Sequence, residues 1–355
     1  MNVRLAAVRA AMRVRGLDAL VVTVLPNIRY LCGFSGSNAL FVVTRRGALF
    51  LSDSRYALQS RQEVHGCRRV ISNRGLADGV VSSGLVRTWK RVGFESHAVT
   101  HAQYLNYRRL FRHTRLVPTT GIVEEIASRK DAVELTSIRK AAMITDRVFQ
   151  EVIGMIRPGI TEREVAAQVS YLHRCHGADG DAFETIVAAG EHSALPHARP
   201  GGRVIRRGDL VTLDMGCVVN GYHSDMTRTV AIGRVSRQAR AMYRVVAEAQ
   251  AAAVAFAQAG MPARDLDTAA RSRIAAGGYG RYFTHSLGHG VGLQIHEQPR
   301  VAAGSTDQLE TGNVITIEPG VYVRGVGGVR IEDMVALTAT GCTVLTQSPR
   351  DLLIL

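Results

Sequence analysis

The chain reads as two domains in series: a layered α/β domain, then an α+β domain in which a helix pair followed by strands occurs twice. Three observations predict this. At roughly 150 residues per domain, 355 residues suggest two domains and a sizeable core. The order of elements changes after about residue 117, from alternating strands and helices to helix pairs followed by strands. The charge changes with it. The net charge is +14; residues 1–130 hold 21 basic and 7 acidic residues, and residues 131–355 hold 23 of each.

In the first domain, residues 2–15 carry apolar positions at helical spacing and Gly16 stops them, after which 20–24 read as a buried strand. Strands at 39–44 and 48–52 flank the turn Arg45-Arg46-Gly47. Helices follow around 54–63, 78–88 and 100–110, with a strand near 91–94. Pro118 is expected to open a helix containing Glu124 and Glu125 that leads into the second domain, so the domains are placed at 1–120 and 121–355.

The second domain opens with a helix at 133–155, closed by Arg157-Pro158-Gly159. Thr161 with Glu164 forms a capping box that starts a helix running to about 176. Strands at 182–189, 209–219 and 222–232 come next. A second helix pair, 236–259 and 263–276, precedes strands near 313–318, 328–338 and 342–346. This repetition suggests an internal duplication.

Composition narrows the function classes. Hydrophobic residues at 46% and charged residues at 21% exclude a disordered or fibrous chain. No apolar run reaches the length of a membrane span, and Arg4, Arg9, Arg13 and Arg15 are scattered rather than set before an apolar stretch, as a secretion signal would require. Five cysteines, widely spaced and without a CxxC pair, indicate reduced thiols in a cytoplasmic protein and speak against a cysteine zinc site. The arginines of the first domain are dispersed with little aromatic interleaving, which reads as a solvated basic surface rather than a nucleic-acid site.

The chemistry concentrates between His192 and His296 and in the carboxylates around them. Asp214 ends an apolar strand, and Asn220-Gly221 is a two-residue hairpin turn. If that turn pairs Val219 with Tyr222, Asp225 falls opposite Gly216, and Asp214 and Asp225 become diagonal neighbours on one face. Two carboxylates so close stay ionised together only around a cation. His289 lies in a glycine-flanked loop, where glycines let backbone approach a ligand, with His296 just downstream. Glu318 ends the strand Val314–Glu318 before a Pro-Gly turn, and Arg330 and Glu332 share a strand face.

Together Asp214, Asp225, His289, Glu318 and Glu332 make an oxygen-rich donor set with one imidazole and no thiolate. It suits a pair of divalent ions such as manganese or cobalt. Such a pair, roughly 3.5–4 Å apart, can hold a hydroxide and polarise a carbonyl. Asp225 and Glu332 are sensible bridging ligands. Glu318 is placed to take the proton of the attacking water, and His197 and His296 to stabilise an oxyanion.

The motifs Phe183-Glu184-Thr185-Ile186-Val187, Ser193-Ala194-Leu195-Pro196-His197, Ser224-Asp225-Met226-Thr227-Arg228-Thr229, Gly288-His289-Gly290-Val291-Gly292, Ile317-Glu318-Pro319-Gly320 and Arg330-Ile331-Glu332-Asp333 resemble the pita-bread metallopeptidases of family M24. That family includes aminopeptidase P, prolidase and methionine aminopeptidase. The resemblance implies an α+β pita-bread domain with pseudo-twofold duplicated helices and a curved antiparallel sheet. It also implies two divalent ions (manganese, alternatively cobalt or zinc), a homodimer, and support of the centre and substrate by His197, His296 and Arg330. The segments 30–38 and 53–56 resemble the creatinase-like N-terminal α/β domain, which methionine aminopeptidase lacks. The expected reaction is hydrolysis of an Xaa-Pro bond, whose imide nitrogen carries a rigid ring and no N–H.

Two exopeptidase readings remain. Arg300 could capture the free carboxylate of a dipeptide, as a prolidase requires. Typical prolidases carry charged residues after Gly-Phe, however, and here the segment is Ser35-Gly36-Ser37-Asn38, which favours aminopeptidase P. A non-catalytic binding protein of the same fold is the competing class, and the complete donor set argues against it.

Overall fold

The computed structural model describes residues 3–355, and the chain divides into two compact units that meet between Ala127 and Ser128. The first is built on a six-stranded mixed sheet in the order Arg68–Ile71, Ala48–Ser52, Leu40–Thr44, Ala19–Val22, Arg91–Glu95, Arg115–Thr119. Ala19–Val22 runs parallel to Arg91–Glu95 and antiparallel to Leu40–Thr44. Its residues are buried on both faces, which is why it reads as an unbroken apolar run. On one face Val21, Val42 and Leu51 pack with Val80, Tyr107 and Phe111 from the helices Leu76–Ser82 and His101–Leu110.

Sequence patterning misses three elements here. The helix Leu25–Cys32 starts on a proline and stops at Gly33, whose φ of 86° suits glycine. The edge strands Arg68–Ile71 and Arg115–Thr119 are polar and largely uncovered, so they lack the apolar alternation that marks a half-buried strand. Pro118 lies in the second of these, opposite Phe94, rather than opening a helix. An edge strand tolerates proline because its outward N–H needs no partner. The helix with Glu124 and Glu125 begins at Ile122 and belongs to the first unit, where Glu124 accepts from Asn27 Nδ2 at 2.7 Å.

In the second unit the duplication is visible as two half-cores. Ala132–Ile153 and Glu162–Cys175 pack through Val148, Phe149 and Val169 on Val187, Val211, Leu213 and Val230 of one sheet. That sheet orders Met226–Ala231, Leu210–Met215 and Ile186–Ala189. Arg237–Phe256 and Ala263–Ala276 pack through Met242, Val246 and Leu266 on Ile315, Ile317 and Val335 of a second, five-stranded sheet. Its order is Glu297–Val301, Gly288–Gly290, Val314–Ile317, Asp333–Thr338, Gly341–Val344. The strand neighbours in both sheets are antiparallel. The capping box is present: Glu164 N–H donates to Thr161 Oγ1, and Thr161 N–H to Glu164 Oε2.

Three strands that read as continuous are interrupted. Leu210–Met215 and Cys217–Val219 part at Gly216; Tyr222–His223 and Met226–Ala231 part at Ser224-Asp225; Gly327–Arg330 and Asp333–Thr338 part at Ile331-Glu332. The register is nevertheless the one the hairpin predicts. Val219 pairs with Tyr222 and Asp214 with Thr227, so Asp225 is opposite Gly216. The breaks coincide with Asp225 and Glu332, where side chains turn away from regular ladders.

Candidate metal centre

One cavity of about 750 Å³ in the second unit is lined by all nine residues singled out from sequence: Asp214, Asp225, His289, Glu318, Glu332, His197, His296, Arg300 and Arg330. Asp214 comes from the end of its strand, Asp225 from the interruption diagonal to it, and Glu332 from the interruption before Asp333–Thr338. His289 is in the short strand Gly288–Gly290 rather than a loop. Its glycines admit neighbouring strands, not a ligand. A Cβ on Gly288 would stand 2.0 Å from the Thr316 carbonyl oxygen, and one on Gly290 2.2 Å from that of Gln298.

One donor atom each from Asp225, His289 and Glu332 lie within 4.8 Å of one another. His289 Nε2 is 3.6 Å from Asp225 Oδ2 and 3.4 Å from Glu318 Oε1. These are not ion pairs. Burial pulls the His289 pKa down to about 4, with His296 adding to the shift, so the ring is neutral. Its Nδ1 faces the Gly290 carbonyl at 3.1 Å and must donate there, which leaves the Nε2 lone pair pointing at carboxylate oxygens. Acceptors facing acceptors suit a cation between them.

The carboxylates tell the same story. Burial, then the charges of Glu332, Asp214 and Glu318, push Asp225 well above the usual carboxylate range. Burial followed by Glu318 and Asp214 does the same to Glu332. Glu318 is raised to about 8, chiefly by burial and then by Asp214, while Arg330 opposes the shift. Asp214 Oδ2 accepts from Arg330 Nη2 at 2.7 Å, whereas its Oδ1 is buried without a hydrogen-bond partner among the described residues. An orphaned carboxylate oxygen beside a neutral imidazole and three raised carboxyls fits the donor set of a divalent-ion site. The residues present fit the group.

Several supporting residues carry no signal strong enough to be singled out from sequence. Thr227 Oγ1 donates to Glu332 Oε2 at 2.7 Å, and Thr316 Oγ1 to Glu318 Oε1 at 3.2 Å. Arg330 Nη1 donates to the Tyr322 hydroxyl at 2.8 Å, and that hydroxyl meets His285 Nε2 at 2.9 Å. His285 Nδ1 faces the Ser286 carbonyl, so Tyr322 donates to Nε2. Burial above all lowers the His285 pKa to about 4, so this ring too is neutral. Period-two spacing from Asp225 to Thr227, and from Thr316 to Glu318, could have marked the two threonines as same-face partners. Nothing in the sequence links Tyr322 to His285.

Comparison with known proteins agrees with this geometry. Residues 136–339 match the model of metallopeptidase family M24, and residues 4–126 that of the creatinase/prolidase N-terminal domain. The chain is 35% identical over 358 residues to an Xaa-Pro dipeptidase of Pyrococcus horikoshii, covering 99% of each. Among solved structures it is similar to an Xaa-Pro dipeptidase from Bacillus anthracis, with TM-score 0.96, 37% identity and 99% of each chain covered. It is also similar to an X-Pro aminopeptidase from Thermotoga maritima, with TM-score 0.91, 34% identity, and 98% of this chain and 100% of that one covered. The protein is a metallopeptidase of family M24 with a creatinase/prolidase-type N-terminal domain, and the family implies divalent metal ions.

Proposed function

We propose that the protein is an Xaa-Pro dipeptidase that hydrolyses the imide bond of dipeptides ending in proline. The lining of one cavity by Asp214, Asp225, His289, Glu318 and Glu332, with donor atoms of Asp225, His289 and Glu332 within 4.8 Å of one another, carries the hydrolase reading. The relatives favour a dipeptidase over the aminopeptidase to which Ser35–Asn38 leans, because Xaa-Pro dipeptidases match over nearly the whole chain. The Thermotoga neighbour keeps the aminopeptidase as the second reading.

In this reading Asp214, Asp225, His289, Glu318 and Glu332 would hold two divalent ions, manganese first and cobalt or zinc as alternatives. When bound, such a pair lowers the pKa of a water and polarises the scissile carbonyl. Glu318, in the same cavity, accepts the proton of the attacking water. His296, kept neutral first by burial, and His197 present N–H groups to the developing oxyanion. Arg300, at the cavity wall, pairs with the substrate carboxylate; Arg330 holds Asp214 in place. We place the enzyme in the cytoplasm as a homodimer. In support, no helix among the described residues is long and apolar enough to cross a membrane, and all five cysteines are free.

Comparing Gly-Pro with Gly-Pro-Ala after loading with manganese tests the reading. A kcat/KM for the dipeptide at least ten times that for the tripeptide supports it, and the reverse order replaces it with the aminopeptidase. Loss of the dipeptide preference in Arg300→Ala, through KM, would locate the carboxylate partner.

A further inference from the structure

Behind the cavity, and not itself among the residues that line it, lies a buried arginine whose whole guanidinium is spent. Arg228 is 2% exposed and sits in Met226–Ala231 on the face opposite Thr227. Its Nη2 donates to Asp333 Oδ1 at 2.7 Å and to the Ser348 carbonyl at 2.8 Å. Nε donates to the carbonyls of Ser348 and Pro349. Nη1 donates to the carbonyls of Thr227 and Glu332. Asp333 is fully buried and also accepts from Thr346 Oγ1, Gln250 Nε2 and Arg350 Nε.

We propose that Arg228 is a positioning residue for Glu332, and thereby sets the affinity of the centre for its divalent ions. The proposal rests on the metal-ligand reading given above. Glu332 falls in the gap between Gly327–Arg330 and Asp333–Thr338, so no sheet ladder fixes it. Its three polar groups are held instead by two consecutive residues. The Glu332 N–H donates to the Thr227 carbonyl at 3.1 Å, its Oε2 accepts from Thr227 Oγ1 at 2.7 Å, and its carbonyl accepts from Arg228 Nη1. Thr227 grips the side chain and the N–H, and Arg228 grips the carbonyl from the opposite face of the strand. Asp333, next in sequence, points away and is clamped to the same guanidinium.

The fold alone does not call for an ion pair here. A buried pair with good geometry adds little net stability over packed apolar side chains of the same volume. Apolar side chains, however, cannot hold the Glu332 carbonyl. Groups that orient a metal ligand commonly change metal affinity 10- to 100-fold when removed.

The double variant Arg228→Met/Asp333→Leu separates the two roles, since it deletes both charges and keeps the volume. Metal-free wild type and variant are titrated with Co²⁺ alone, following heat and the visible absorption of the bound ion, and each is melted without metal. The expected result is a variant that still melts cooperatively, below wild type because Gln250 and Thr346 lose their acceptor, binds Co²⁺ about 10- to 100-fold more weakly and shows a changed absorption band. Wild-type affinity and band in a folded variant overturn the proposal. Should the double variant not fold, Arg228→Lys decides in the same titration. It keeps the charge and loses the fork, so it is expected to bind about 10-fold more weakly. Wild-type affinity there overturns the proposal equally. A wild type that binds no Co²⁺ removes the metal-centre reading itself, whereas tight wild-type binding with unchanged variants removes only the role of Arg228.

Discussion

The buried carboxylates of the first unit and those of the centre in the second are set in opposite surroundings. In the first, acidic side chains are surrounded by donors. Glu95, 4% exposed, accepts from the N–H groups of Thr23 and Val24, the Thr23 hydroxyl and the Asn27 amide. Burial works against ionised Asp18, yet the N–H groups of Arg91 and Lys90 and the charge of Arg45 hold its pKa below the usual value. Glu63 is likewise depressed, against its burial, by Ser35 and Gln59. In the second unit Asp225, Glu318 and Glu332 are raised, because burial removes water and their nearest neighbours include other carboxylates. A structural carboxylate arrives with its donors. One kept for a metal is left without enough of them, and the deficit identifies the site.

The largest effect that could break this contrast is in Asp225→Asn. Hydrolysis of Gly-Pro should fall by about 1,000-fold or more as a proposed metal ligand is lost. In the metal-free state the same variant should melt higher than wild type, since one member of a repelling set is gone. A metal-free variant that melts lower would sink the repulsion argument.

Removing metal should also expose a pH dependence of opposite sign in the two units. Glu318 has a folded pKa of about 8 against an ordinary 4.5, so below 4.5 it is protonated in both states and costs nothing. As pH rises towards 8, the unfolded chain releases that proton and the folded protein does not, so stability falls across this window and levels off above it. Asp18 and Glu63, depressed from 3.8 and 4.5, stabilise above those values and lose their contribution as the pH drops below them. Thermal melts from pH 4 to 9 should therefore show an alkaline decline that chelator brings out and manganese abolishes. Superimposable profiles with and without chelator would contradict it.

Smaller effects sharpen the comparison. Glu95→Ala leaves buried N–H groups unpaired and should cost about 3 kcal/mol in urea unfolding of the first unit, leaving Co²⁺ affinity unchanged. Arg45, largely exposed although 2.9 Å from Asp18, should tolerate alanine with no shift beyond the scatter of the melt.

How much of this was legible follows from what each part needs. Asp214 and Asp225 could be placed on one face because a two-residue Asn-Gly turn sets a register, and register is local. Glu318 is recognisable as a strand-end carboxylate and Glu332 as sharing a strand face with Arg330, although Glu332 occupies a gap between strands. What stayed hidden depends on tertiary packing. The Arg228–Asp333 pair joins residues 105 apart in sequence. The Tyr322–His285 contact spans 37. The polar edge strands Arg68–Ile71 and Arg115–Thr119 exist because a sheet offers them a partner, not because their own patterning demands extension. The lean towards aminopeptidase P came from four uncharged residues, Ser35–Asn38, and full-length relatives outweigh it.

The tight turn at Asn220-Gly221 also makes the centre vulnerable to a kind of lesion that no ligand substitution reproduces. Inserting one amino acid into either arm between Asp214 and Asp225 would swap inward and outward positions along the returning arm. Asp225 would then point into the packed layer and Met226 into the cavity. Every ligand would still be encoded, yet the hairpin would have to bulge or the chain would forfeit its ions, so this stretch should tolerate point replacement far better than a change in length.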